Sequence, residues 1–131
     1  MRLLDLGSGL DCKLTSLYSE IEITNADIRL KPPVDMEDLP YPDKSFEIVI
    51  CINALDHTIN AETALKEILR VANGYVYINC AIDQKTRHRK KHYWDAKPDG
   101  RFINPIAEFD LKDYGFKIEF EDGRMIAKCS L

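Results

Sequence analysis

The chain has 131 residues, of which 45% are hydrophobic and 31% charged, and its formal net charge is -4. This length allows one hydrophobic core, and no stretch approaches the ~20 apolar residues that cross a bilayer. No secretory leader follows Met1, so we expect a single cytoplasmic domain with no membrane partner. The four widely spaced cysteines predict neither disulfides nor a zinc site. The net charge argues against a general nucleic-acid binder, although residues 84–94 carry five Lys or Arg and no acid.

The N-terminal part of the chain predicts a strand, a tight turn, a helix and a second strand. The apolar run from Leu3 to Leu6 breaks at Gly7-Ser8-Gly9, and apolar residues then recur at helical spacing from Leu10 to Ile21. A weaker strand is predicted from Ile21 to Ile28. The acid-rich connection that follows contains prolines, and only about eight residues separate Asp27 from Asp35. A crossover helix needs at least about 10–12 residues, so we expect it to be missing or reduced to one turn.

The rest of the chain continues the alternation and then departs from it. Residues 46–52 (FEIVICI) predict a buried parallel strand, residues 61–72 a helix capped by Asn60 and stopped by Asn73-Gly74, and residues 75–82 another strand. Alternating residues on both sides of Asp122-Gly123 predict a terminal hairpin. The fold class is therefore α/β, a Rossmann-like three-layer sandwich whose mostly parallel sheet ends in an antiparallel hairpin strand.

The first turn predicts a ligand site, because glycines between a strand and a helix let the backbone approach a ligand closely. A dinucleotide fingerprint would need glycine where this chain has Cys12, which leaves an NAD-dependent oxidoreductase as a minor alternative. Asp5-Leu6-Gly7-Ser8-Gly9 instead resembles motif I of class I S-adenosylmethionine-dependent methyltransferases, in which an acid complements the cationic methionine end. Residues 25–28 (NADI) and 34–46 (VDMEDLPYPDKSF) are similar to the family segments around its ribose-binding and adenine-binding acids.

The resemblance implies S-adenosylmethionine as cofactor and S-adenosylhomocysteine as product, with methyl transfer to an O or N nucleophile. The residues that it assigns to the cofactor are Asp5, Gly7, Ser8, Gly9, Asp27, Ile28, Asp35, Met36, Asn53 and Leu55. Asp56 and His57 lie in the loop after the predicted strand 46–52, between cofactor and substrate in the family. His57 is a candidate general base, with a role in shaping the pocket as the alternative. Nothing in the sequence requires a metal.

The segment at about 83–104 is too polar for a core and lies where the family inserts substrate-recognition elements. Its candidate substrate residues are Arg87, His88, His92, Tyr93 and Trp94, which suit an anionic, sugar-phosphate or nucleotide substrate. The alternative is a solvated loop whose aromatic residues pack on the sheet edge. Because motifs of DNA methyltransferases are absent, a small molecule or glycan is the favoured substrate, although nucleic acid stays open.

Three departures from the family pattern favour a different function, a degenerate cofactor-binding or interaction module without turnover. Asp11 replaces the third glycine of motif I, and the helices that usually precede the first strand are not found before Leu3. The third departure is the missing crossover helix. The chain is then a fragment, has an open cofactor site, or has a site covered by a partner, for which a homodimer is one candidate.

Overall fold

A computed structural model describes residues 1–9, 20–82 and 93–131 of the chain. These residues form nine strands: β1 (Arg2–Leu6), β2 (Glu22–Ala26), β3 (Phe46–Ile52), β4 (Ala72–Ala81), β5 (Asp95–Ala96), β6 (Arg101–Ile103), β7 (Glu108–Asp110), β8 (Lys117–Glu121) and β9 (Arg124–Ser130). Six of them form the main sheet in the order β2-β1-β3-β4-β9-β8, in which β9 lies antiparallel to both neighbours and the other pairs are parallel. The predicted α/β fold with its antiparallel hairpin strand is confirmed.

The connection from β2 to β3 passes over β1 without a helix, as predicted. Residues 27–45 form turns and bends, with no regular helix or strand. The helix predicted between Leu10 and Ile21 falls mainly on residues 10–19, which are outside the described residues.

Helix α1 (Ala61–Val71) begins where the sequence predicts and ends earlier. The Asn60 side chain accepts a hydrogen bond from the Thr63 N–H at 3.1 Å, which satisfies one of the unpaired donors of the first turn. The apolar face of α1 is fully buried and consists of Ala61, Ala64, Leu65, Ile68 and Val71. Among the described residues, no helix is long and apolar enough to cross a membrane.

The predicted helix stop at Asn73-Gly74 is wrong, because α1 passes directly into β4 at Ala72 and both residues belong to that strand. Gly74 serves a different purpose: a Cβ at this position would lie 2.7 Å from the carbonyl oxygen of Glu47 on β3. The pairing of β3 with β4 shifts register between Phe46 and Ile48, next to this contact. The glycine therefore permits a close approach of two strands.

The described end of the segment 83–104 is part of the core, contrary to the expectation that it is too polar. Strands β5, β6 and β7 form a second, antiparallel sheet. The Trp94 ring meets Phe109 edge-on at a centroid distance of 5.3 Å, and Phe102 stacks on Phe109 at 5.2 Å. Since these rings are buried in the same cluster as α1 and the main sheet, this small sheet extends the core.

Candidate functional site

A cleft of about 590 Å³ opens at the carboxyl ends of β1, β2 and β3. Strands β2 and β3 lie on opposite sides of β1 in the sheet, so the direction of the strand order reverses at the carboxyl end of β1. Open α/β sheets bind ligands at such a switch point. The volume is in the usual range for a small-molecule site. The residues that line the cleft are Leu6, Gly7, Ala26, Asp27, Ile28, Arg29, Val34, Asp35, Met36, Glu37, Asn53, Ala54, His57, Thr58, Ile59 and Tyr93.

The turn after β1 forms the floor of this cleft and requires glycine. Gly7 has φ +70° and donates its N–H to the Ala26 carbonyl oxygen at 2.7 Å. A Cβ at Gly7 would lie 2.6 Å from the Ala54 Cβ, which is closer than two carbon atoms can pack. Gly9 also has a positive φ, and its N–H donates to Asp27. The glycines therefore bring the backbones of three loops together.

Asp27 is the buried carboxylate of the cleft, with 6% of its surface exposed at the end of β2. Its Oδ1 accepts hydrogen bonds from the backbone N–H and the Nε of Arg29, and its Oδ2 accepts from Gly9 N and Arg29 Nη2. The hydrogen bond from the Arg29 side chain is the main cause that lowers the pKa of Asp27 to about 2. Asp27 is therefore ionised at neutral pH and paired with the Arg29 guanidinium.

The segment predicted to contact adenine lies along one wall of the cleft. Asp35 is exposed, and its Oδ1 accepts a hydrogen bond from Glu37 N at 2.9 Å. Met36 is half-buried, with its Sδ 3.9 Å from Cys51 Sγ. Ile28 is 64% exposed and lines the same cleft. An acceptor and apolar surfaces thus lie on one wall, a combination that suits a heterocyclic base.

Arg70 of α1 holds the continuation of this wall in place. Its guanidinium donates to the carbonyl oxygens of Leu39 and Tyr41, at 2.9 and 2.8 Å, and to the carboxylates of Asp43 and Glu67. Glu67 in turn accepts the Leu39 N–H at 2.9 Å. These contacts tie the turn after the predicted adenine segment to the helix.

Asn53 follows β3 and has φ +53°, a left-handed conformation that is uncommon outside glycine. Its N–H donates to the Asn79 carbonyl oxygen at 2.7 Å, and its side-chain oxygen accepts from the guanidinium of Arg124. Arg124 also donates to the Asn79 side chain. The loop that begins at Asn53 is therefore held from β4 and β9. Leu55 is fully buried and does not line the cleft.

The two predicted catalytic residues occupy different environments. The His57 side chain is 26% exposed and lines the cleft, whereas Asp56 is 2% exposed and lies outside the lining. Their closest side-chain atoms, His57 Nε2 and Asp56 Oδ1, are 3.9 Å apart. The Asp56 carbonyl oxygen accepts the N–H groups of Tyr93 and Trp94 at 3.0 and 3.2 Å. His57 can thus meet a ligand directly, whereas the Asp56 side chain is buried outside the lining.

Of the candidate substrate residues that the structure describes, one lines the cleft and the other is buried. Tyr93 is 41% exposed and lines the cleft. Trp94 is 5% exposed, and its indole N–H donates to the Ile59 carbonyl oxygen at 3.2 Å, so its faces are covered by the protein. The remaining three, Arg87, His88 and His92, lie outside the described residues.

The structure brings together most of the predicted cofactor residues and adds some that the sequence analysis missed. Asp5 is buried within β1, outside the cleft lining, whereas Ser8 is half-buried beside the turn. The most important addition is Arg29, and the sequence signal for it was a cation two residues after Asp27. Arg124 was missed because its contact with Asn53 spans 71 positions of the sequence.

The comparisons with known proteins agree with this geometry. Residues 4–78 match a methyltransferase domain family. Ajmaline N-methyltransferase of Rauvolfia serpentina is 29% identical over 85 residues, which are 65% of this chain and 26% of the relative. Malonyl-[acyl-carrier protein] O-methyltransferase of Halorhodospira halophila is 28% identical, and the match covers 92% of this chain and 48% of the relative. The chain spans less than half the length of the curated relatives it matches.

A solved structure matches over nearly the entire chain. The SAM-dependent methyltransferase from Aquifex aeolicus superposes with a TM-score of 0.63 at 15% sequence identity, and the match covers 99% of this chain and 81% of that chain. At this identity the likeness concerns the fold.

Proposed function

Because the chain belongs to the class I S-adenosylmethionine-dependent methyltransferase domain family, we propose that it transfers a methyl group to an O or N nucleophile of a small molecule or glycan. The observation that carries the proposal is the buried carboxylate of Asp27 beside the Gly7 turn, at the switch point of the sheet. The relatives named for N-methylation and O-methylation both match this chain, so either acceptor atom is compatible with the family.

The residues of the cleft fit S-adenosylmethionine. Gly7 lines the cleft and carries no side chain, so the backbone of the first turn is open to a ligand. Asp27 is an ionised acceptor suited to hydroxyl donors, and Asp35 offers an acceptor near the apolar surfaces of Ile28 and Met36. We assign the ribose to Asp27, the adenine to Asp35, Met36 and Ile28, and the methionine end to the Gly7-Ser8-Gly9 turn together with Asn53. When bound, the cofactor supplies an electrophilic methyl group on a sulfonium.

The protein's own contribution to this reaction is orientation, with one candidate proton acceptor. Methyl transfer depends mainly on the alignment of the reacting atoms, and a fixed cleft can lower its barrier by several kcal/mol. We propose that His57 accepts a proton from the nucleophile and that Asp56 positions the imidazole from below. The acceptor side of the cleft, formed by His57, Thr58, Ile59 and Tyr93, then receives the substrate.

The experiment that tests the cofactor assignment is calorimetric titration of S-adenosylhomocysteine into the wild type and Asp27→Ala. Asp99→Ala is the matched control, because Asp99 also precedes an arginine by two residues and pairs with it outside the cleft. Micromolar binding that only Asp27→Ala abolishes supports the assignment. At ligand a hundredfold above the dissociation constant, the native state also gains about 2.7 kcal/mol, visible as a rise in melting temperature.

The second candidate function, a cofactor-binding module without turnover, is separated from the first by product formation. S-adenosylhomocysteine release from S-adenosylmethionine in the presence of a panel of small-molecule and glycan acceptors supports the enzyme. Cofactor affinity without release across the panel supports the module. If His57 is the proton acceptor, His57→Gln keeps the affinity for S-adenosylhomocysteine and slows transfer, and it changes the dependence of the rate on pH.

A further inference from the structure

The Arg29 side chain occupies the hydrogen-bonding positions of Asp27 that a vicinal diol would use. A carboxylate has about four acceptor positions, and all four of Asp27 are filled. Two are taken by the backbone N–H groups of Gly9 and Arg29, each at 2.9 Å. The other two are taken by the guanidinium, with Nε at 3.0 Å from Oδ1 and Nη2 at 2.9 Å from Oδ2. The guanidinium therefore places one donor on each carboxylate oxygen of Asp27, which is the arrangement that two adjacent hydroxyl groups would make.

We infer that Arg29 competes with the ribose for Asp27 and thereby sets the affinity of the cleft for its cofactor. The inference rests on the proposed function, because it takes the ribose of S-adenosylmethionine as the competing diol. Hydroxyl groups can bind Asp27 only after the guanidinium leaves, so they must replace a bidentate fork in which the donor and the acceptor are both charged. Arg29 also lines the cleft, so its displacement occurs within the ligand site itself.

The surroundings of the pair allow the guanidinium to move while the carboxylate stays. The Arg29 side chain is 49% exposed, whereas that of Asp27 is 5% exposed, so the arginine can turn into water without opening the core. The backbone bonds from Gly9 and from residue 29 do not depend on the arginine side chain. The Asp27 carbonyl oxygen also accepts the N–H groups of Leu30 and Val34 at 3.1 and 3.2 Å, which holds the loop. Displacement therefore leaves two acceptor positions aimed into the cleft.

The test compares Arg29→Gln with the wild type by calorimetric titration of S-adenosylhomocysteine. Arg101→Gln is the control variant, because Arg101 forms the same i, i+2 pair with Asp99, at 2.8 Å, outside the cleft. We expect Arg29→Gln to bind about three- to tenfold more tightly, since a half-exposed charged pair no longer has to be broken. Arg101→Gln should bind as the wild type does.

A second pair of ligands isolates the hydroxyl groups. Adenosine carries the vicinal diol and 2′,3′-dideoxyadenosine lacks it, so competition for Asp27 predicts that Arg29→Gln tightens the binding of adenosine only. Equal tightening of both, or weaker binding of S-adenosylhomocysteine by Arg29→Gln than by the wild type, would overturn the inference and leave the cofactor assignment intact. If no folded variant binds S-adenosylhomocysteine, the proposed function and the competition both fail. Binding by Arg29→Gln alone would support the competition in its strongest form.

Discussion

Replacement of Gly7 by alanine tests how the first turn of the sheet and the loop after β3 fit together. Two separate costs are expected. The residue has φ +70°, and an L side chain in the left-handed region costs about 1–2 kcal/mol. The new methyl group would also lie 2.6 Å from the Ala54 Cβ, and the overpacking that results costs about 1–3 kcal/mol. Gly7→Ala should therefore lower the free energy of unfolding by about 2–5 kcal/mol.

A double-mutant cycle separates these two costs. Ala54→Gly removes the atom that the new methyl group would meet, so the double variant should recover the overpacking term, about 1–3 kcal/mol, and keep the cost of the backbone conformation. Urea unfolding can be followed by fluorescence of Trp94, the single tryptophan, which is 5% exposed in the folded chain. Undiminished stability of Gly7→Ala, or a coupling energy near zero, would refute the close contact as the reason for glycine.

Two further changes probe the walls of the cleft. Arg70→Met should lose about 1–3 kcal/mol of stability in urea unfolding, because it leaves the carbonyl oxygens of Leu39 and Tyr41 without their charged donor. The control Arg101→Met loses only an exposed ion pair and should lose less than about 1 kcal/mol. Equal losses would contradict the role of Arg70 in holding this wall. The folded-state pKa of Asp27 is about 2, against an ordinary value of 3.8. Its ionised form therefore stabilises the fold above pH 4, and this contribution disappears as the pH falls toward 2. Between these pH values the wild type should lose about 1–2 kcal/mol more than Asp27→Asn, and parallel pH profiles of unfolding would argue against the pair with Arg29.

Local patterns in the sequence were sufficient for most of the fold. The apolar run 46–52 predicted β3, and the Asn60 cap followed by a single apolar helix face predicted α1. Both signals are local, because burial and capping act over a few neighbouring residues. The alternation around Asp122-Gly123 predicted the hairpin of β8 and β9 for the same reason. The stop at Asn73-Gly74 was wrong because the need for Gly74 comes from Glu47, which lies on another strand.

The features of the candidate site also divide into those that the sequence predicts and those that depend on the tertiary structure. The sequence by itself determined which acids and glycines follow the strands, and a resemblance to a family assigned them to a cofactor. Only the tertiary structure decided which of these side chains reach the cleft, since Leu55, Asp56 and Trp94 are close to it in sequence and buried beneath its surface. The tertiary structure also decided that the guanidinium of Arg29 fills the two acceptor positions of the Asp27 carboxylate that the backbone N–H groups leave open. Such hydrogen bonds depend on the path of the backbone, and the residue types alone do not specify that path.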